Sequence, residues 1–123
     1  MPEPNEEKLK EKAVSLGHAI GQTDSAKAMD RAQEKLEDNE ETRELFEKVQ
    51  RMEQNVVQKL QRGEEVDDDK RAELQDAMKK LESRPNFQKY VSAQKNLDNL
   101  MKQVNEYIQE GIEEGKDSKI IEI

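Results

Sequence analysis

Apolar residues in this chain recur at helical spacing along most of its length. Leu9, Ala13, Leu16 and Ile20 step by four, three and four residues, which sets all of them on one face of a first helix. Gly17 and Gly21 flank its end. Thr23, Asp24 and Ser25 follow as alternative N-caps for a second helix, since each offers an oxygen to the free N–H groups of the next turn. Met29, Ala32 and Leu36 are the apolar stripe of that helix, and Asp38-Asn39 supplies either a cap or a short bend before Glu40-Glu41-Thr42.

The third segment is longer. Leu45, Val49, Met52, Val56 and Leu60 form its stripe, Phe46 and Val57 widen it, and Gly63 stops it after the basic Arg62. An acidic start, Val66-Asp67-Asp68-Asp69, suits the positive end of a fourth helix, with Val66 placed to staple onto the following turn. Leu74, Ala77, Met78 and Leu81 line that helix, and Ser83-Arg84-Pro85 ends it, because proline disfavours helical geometry in the residue before it and suits a first helical turn. In the fifth helix Tyr90, Leu97 and Val104 are seven apart, and Ala93, Leu100 and Tyr107 repeat that spacing three residues on, like the a and d rows of a coiled-coil seam. Met101 and Ile108 broaden the seam beyond what one antiparallel neighbour covers.

These elements predict an all-α fold, a multihelical bundle of about five helices with a long C-terminal helix and no β-sheet. Residues 1–8 read as a leader, 9–114 as one helical domain and 115–123 as a flexible tail ending Ile120-Ile121-Glu122-Ile123. The chain has 123 residues, which is one domain's worth, and only 32% are hydrophobic, so apolar area has to be gathered on narrow stripes to bury anything useful. A chain so poor in apolar residues gains much of its stability by burying stripes between subunits. A homo-oligomer, dimer or higher, is therefore expected. Phe46, Val49, Tyr90, Leu97, Leu100, Met101, Val104 and Ile108 are the expected seam residues.

Charge removes several function classes. A net charge of −8 repels phosphate, so direct nucleic-acid binding is disfavoured and an RNA-binding regulator stands as the alternative to a protein-contacting one. The sequence has no cysteine, hence no disulfide, zinc-thiolate site or cysteine nucleophile. No signal pattern opens the chain and no apolar run is long enough to span a bilayer, which leads to the expectation of a cytoplasmic protein without a membrane partner.

Catalytic constellations are not found either. His18 is the only histidine and reads as a half-exposed helical residue. Asp67-Asp68-Asp69 lacks the alternating ligand spacing of a calcium loop and is explained by helix capping. Adjacent pairs such as Glu40-Glu41 and Glu113-Glu114 point to different sides of a helix and make poor acid–base couples. Met29, Met52, Met78 and Met101 fall on inner stripes, where a flexible thioether fills gaps between crossing helices. The expectation is a protein with no enzyme activity, no metal and no cofactor.

Two ordered groups of residues carry a resemblance. Leu16-Gly17-His18-Ala19-Ile20, Ser25, Ala32, Leu36, Asn39, Leu45-Phe46, Gln50 and Gly63 make the first, and Arg84-Pro85-Asn86-Phe87, Tyr90, Ala93, Leu97, Leu100, Val104-Asn105 and Ile108 make the second. Over roughly residues 9–112 the chain resembles the YlbF/YmcA family of small helical bacterial proteins, most of all its YheA-type members. The resemblance implies a helical bundle that associates into dimers or larger assemblies, with no catalytic residue to carry over. Characterised relatives are regulatory: YlbF and YmcA join a third protein in a complex required for competence, sporulation and biofilm formation, which assists an endoribonuclease in maturing messenger RNA. Cysteines hold iron–sulfur clusters in that complex, and the cluster does not carry over to a chain without cysteine.

Overall fold

The computed structural model describes the backbone of residues 5–121 and the side chains of residues 5–117. Five helices account for nearly all of it: α1 (Glu6–Gly21), α2 (Asp24–Asp38), α3 (Glu40–Gln61), α4 (Asp68–Glu82) and α5 (Pro85–Ile121). No strand occurs among the described residues. The fold is all-α with a long C-terminal helix, as the periodicity predicts.

Local chemistry sets the boundaries. Of the three candidate caps for α2, Thr23 does the work: its Oγ1 accepts the N–H of Ala26 at 3.2 Å. The same hydroxyl donates to the Ile20 carbonyl at 2.6 Å and so closes α1 as well. Asn39 adopts an extended backbone and its side chain accepts the N–H of Thr42 at 3.0 Å, which makes it the N-cap of α3. Replacing Asn39 with Ala is expected to cost about 1 kcal/mol, read as a lower urea midpoint with an unchanged slope.

At the other end of α3, Gly63 has φ 74°, a backbone region that side chains with a Cβ rarely adopt. Its N–H donates to the Leu60 carbonyl at 3.1 Å, and the Glu64 N–H donates to the Lys59 carbonyl at 2.9 Å. Those two bonds form a Schellman cap. Asp67 caps α4 with a longer bond to the Asp69 N–H at 3.4 Å, and Val66, 6% exposed, is buried just ahead of it. Pro85 begins α5, where a missing N–H costs nothing.

Two expected boundaries shift. Helix α1 starts at Glu6, inside the expected leader, and α5 does not stop at Gly115 but continues to Ile121. A glycine within a helix costs about 1 kcal/mol relative to alanine, and it favours a helix end chiefly where it turns left-handed. Among the described glycines Gly63 alone has a positive φ. Residues 1–4 and 122–123, and the side chains of Ile120 and Ile121, lie outside the described residues.

Contacts group the chain into two compact units, residues 30–92 in one, and the residues up to Met29 with those from Ala93 onward in the other. In the first, α3 and α4 pack as an antiparallel pair around buried Val49, Ala77 and Leu81, with Leu45, Met52, Leu74 and Met78 against them. Fully burying a Val or Leu side chain stabilises by roughly 1.5–3 kcal/mol, so this cluster is what holds α3 against α4. The second unit buries few of its described side chains. Helix α1 buries no residue, and of the described α5 residues beyond Ala93 none is fully buried. Among the described residues no helix is long and apolar enough to cross a membrane.

Candidate functional site

The residues expected at a seam separate into two groups. Val49, 5% exposed, is enclosed by α4 in the chain's own core, because its place one turn after Leu45 faces the α4 stripe. Phe46 meets Phe87 at 5.8 Å between ring centroids and Tyr90 at 5.7 Å, the latter edge-on at 72°. Phe87 and Tyr90 lie one turn apart on α5, with centroids 6.3 Å apart. Edge and offset contacts of this kind add about 0.5–1.5 kcal/mol to simple area burial. The trio ties the first turns of α5 to α3. Beside it, a groove of about 320 Å³ is lined by Leu36, Phe46 and Tyr90 with the polar Gln33, Arg43 and Gln50 among its walls.

The other five share one stripe of α5. Leu97, Leu100 and Val104 are half-buried, while Met101 is 37% and Ile108 43% exposed. Tyr107 and Ile112 extend the open stretch at 59% and 43%, and the Tyr107 hydroxyl accepts a hydrogen bond from Gln103 at 3.1 Å. Steps of three and four residues keep these side chains on one face. Together they make a contiguous apolar stripe that the described chain covers only in part, and contiguous exposed apolar surface marks sites of protein contact.

Little here has the make-up of a reaction centre. His18 is exposed on α1, and its backbone carbonyl accepts the Gln22 N–H at 3.1 Å. Among the described residues no three His, Asp or Glu side chains converge as metal ligands do. Lys59 is held below the ordinary lysine range, first by its hydrogen bond with Lys70 and then by the charge of that neighbouring ammonium. Glu64 and Asp67 oppose the shift. Lys59 lies in the last turn of α3 and Lys70 in the first turn of α4.

Two structural residues escaped the sequence reading. Thr42 is the most buried side chain among the described residues at 1% exposure, and the one available signal is its position three residues after Asn39, in the first turn of a capped helix. Arg84 pairs with Glu41 at 3.3 Å, joining the α4–α5 corner to the start of α3. Both partners are well exposed, so the pair contributes less than about 1 kcal/mol and serves alignment more than stability.

Residues 9–113 match the sequence model of the family described as "Control of competence regulator ComK, YlbF/YmcA". Among curated proteins, the chain is 24% identical over 106 residues to a UPF0342 protein of Staphylococcus saprophyticus, covering 86% of this chain and 93% of that one. It is 26% identical over 102 residues to UPF0342 proteins of Staphylococcus haemolyticus and Staphylococcus epidermidis, in each case covering 83% of this chain and 90% of the relative. No solved structure gives a significant match. An all-α chain with a long C-terminal helix, matched to the family model along nearly its whole length, belongs to the YlbF/YmcA family of competence-associated regulators.

Proposed function

We propose that this protein is a non-catalytic helical adaptor that works as a homo-oligomer and regulates through contacts with other protein chains. The observation that carries the reading is the α5 stripe of Leu97, Leu100, Met101, Val104 and Ile108, an apolar band left partly exposed in a chain with little apolar material to spare. Covering it with a second copy removes apolar area from water, at roughly 25 cal/mol per Å². Family membership supports the regulatory half of the reading, and by resemblance the setting is regulation of RNA processing or of development. A net charge of −8 favours contact with a protein of that machinery over contact with RNA itself. Multi-angle light scattering at micromolar concentration tests the first half, with a dimer or larger species expected. A folded monomer under those conditions would remove the proposal. A mobility-shift assay at low salt tests the second, and tight RNA binding would replace the adaptor with a direct binder.

A further inference from the structure

The apolar stripes of α3 and α4 both end in lysine where the two helices turn. Lys59 follows Met52 by seven residues and Val56 by three, and Lys70 precedes Leu74 by four and Ala77 by seven. At about 100° per residue, each lysine lies on the side of its helix that carries the shared core of Val49, Ala77 and Leu81. Burial agrees with that placement: Lys59 is half-buried, whereas its neighbours Gln58 and Leu60 are exposed. The Lys59 carbonyl accepts the Glu64 N–H at 2.9 Å, so the Schellman cap holds the turn of helix that carries it.

Two amino groups thus meet at the turn end of a helix pair. Lys59 and Lys70 are hydrogen-bonded through their side chains. An ammonium has three donors and no acceptor, so that bond requires a neutral amine on one side. Lys59 is the one that gives up its proton: the bond, then the charge of Lys70, then partial covering hold it below the ordinary lysine range, against the opposing carboxylates of Glu64 and Asp67. An amine beside a second cation keeps more of its neutral, nucleophilic form than an isolated surface lysine does.

We propose that Lys59 is an acylation site, its Nζ taking the acyl group of an acyl phosphate. A donor of this class is activated enough to acylate a neutral amine without a catalytic group of the protein. The Nζ lone pair forms a bond to the acyl carbon, the bond from that carbon to the phosphate oxygen breaks, and phosphate leaves with the electron pair. The proton that the nitrogen sheds passes to water, and nothing is oxidised or reduced. The product is a neutral amide, which removes one of two like charges facing each other across the α3–α4 turn.

Acetyl phosphate is the probe. Folded full-length protein is incubated with it briefly, and peptide mass spectrometry gives the initial rate of acetylation at each lysine. Lys59 is expected to react at least about threefold faster than Lys79, an exposed lysine on the opposite side of α4 from Lys70, and to lose that lead in urea, where the turn is unfolded. Lys70 is exposed, so substituting it leaves the α3–α4 core undisturbed. Lys70→Gln is expected to bring Lys59 to within about twofold of Lys79, and Lys70→Arg, which keeps the positive charge, to preserve the lead. A Lys59 rate at or below that of Lys79 in the folded protein overturns the site. A lead undiminished in urea or in the Lys70→Gln protein overturns its assignment to the lysine pair.

Discussion

Replacing Leu81 with Ala lowers the unfolding free energy by about 3 kcal/mol, the largest loss expected from any single truncation in this chain. Leu81 is 3% exposed and lies with Val49 and Ala77 at the centre of the α3–α4 pair, so deleting its branched end leaves a void that Leu74 and Met78 fill only in part. The cost has two parts, the lost transfer of methyl groups out of water and the dispersion contacts that the void forfeits. Urea unfolding followed by circular dichroism measures it. Leu60→Ala is the control, because Leu60 is 57% exposed on the same α3–α4 hairpin and its truncation is expected to change stability by less than about 0.5 kcal/mol. Equal losses at the two positions would show that the α3–α4 packing described here is not what holds the hairpin.

For the proposed homo-oligomer, changing Leu97 to Asp is expected to raise the dissociation constant at least about a hundredfold and to lower helicity at micromolar concentration. Leu97 is half-buried at the start of the partly covered α5 stripe, so a second copy seated there encloses the new carboxylate without a counter-charge. An unpaired charge in such a contact costs about 3 kcal/mol or more, and helices that relied on the contact fray once it is lost. Sedimentation equilibrium measures the dissociation. Asn99→Asp adds the same charge two residues away on an exposed position of the opposite face and is expected to leave the assembly intact. If both variants dissociate alike, net charge and not the stripe governs assembly.

Helix limits were legible because the forces that set them act over a few residues. Asn39 and Gly63 mark the ends of α3, and Pro85 opens α5, each through the backbone hydrogen bonds that its own side chain or ring permits or forbids. Gly115 is different for the same local reason: glycine permits a helix to end but does not compel it, and α5 continues through it to Ile121.

The chain's order of apolar and polar residues therefore determined, by itself, that this protein is built of five helices and which face of each is apolar. It did not determine which of those faces the chain covers. Val49 and Ile108 look alike in sequence, both β-branched residues on a regular stripe, yet Val49 is enclosed by α4 while Ile108 stands 43% exposed. Tertiary structure alone brought Phe46 to Phe87 and Tyr90, buried Thr42, and joined Arg84 to Glu41 across 43 residues. The physical reason is range: helical periodicity follows from bonds four residues apart, whereas burial depends on which distant segment arrives, and no local pattern specifies that.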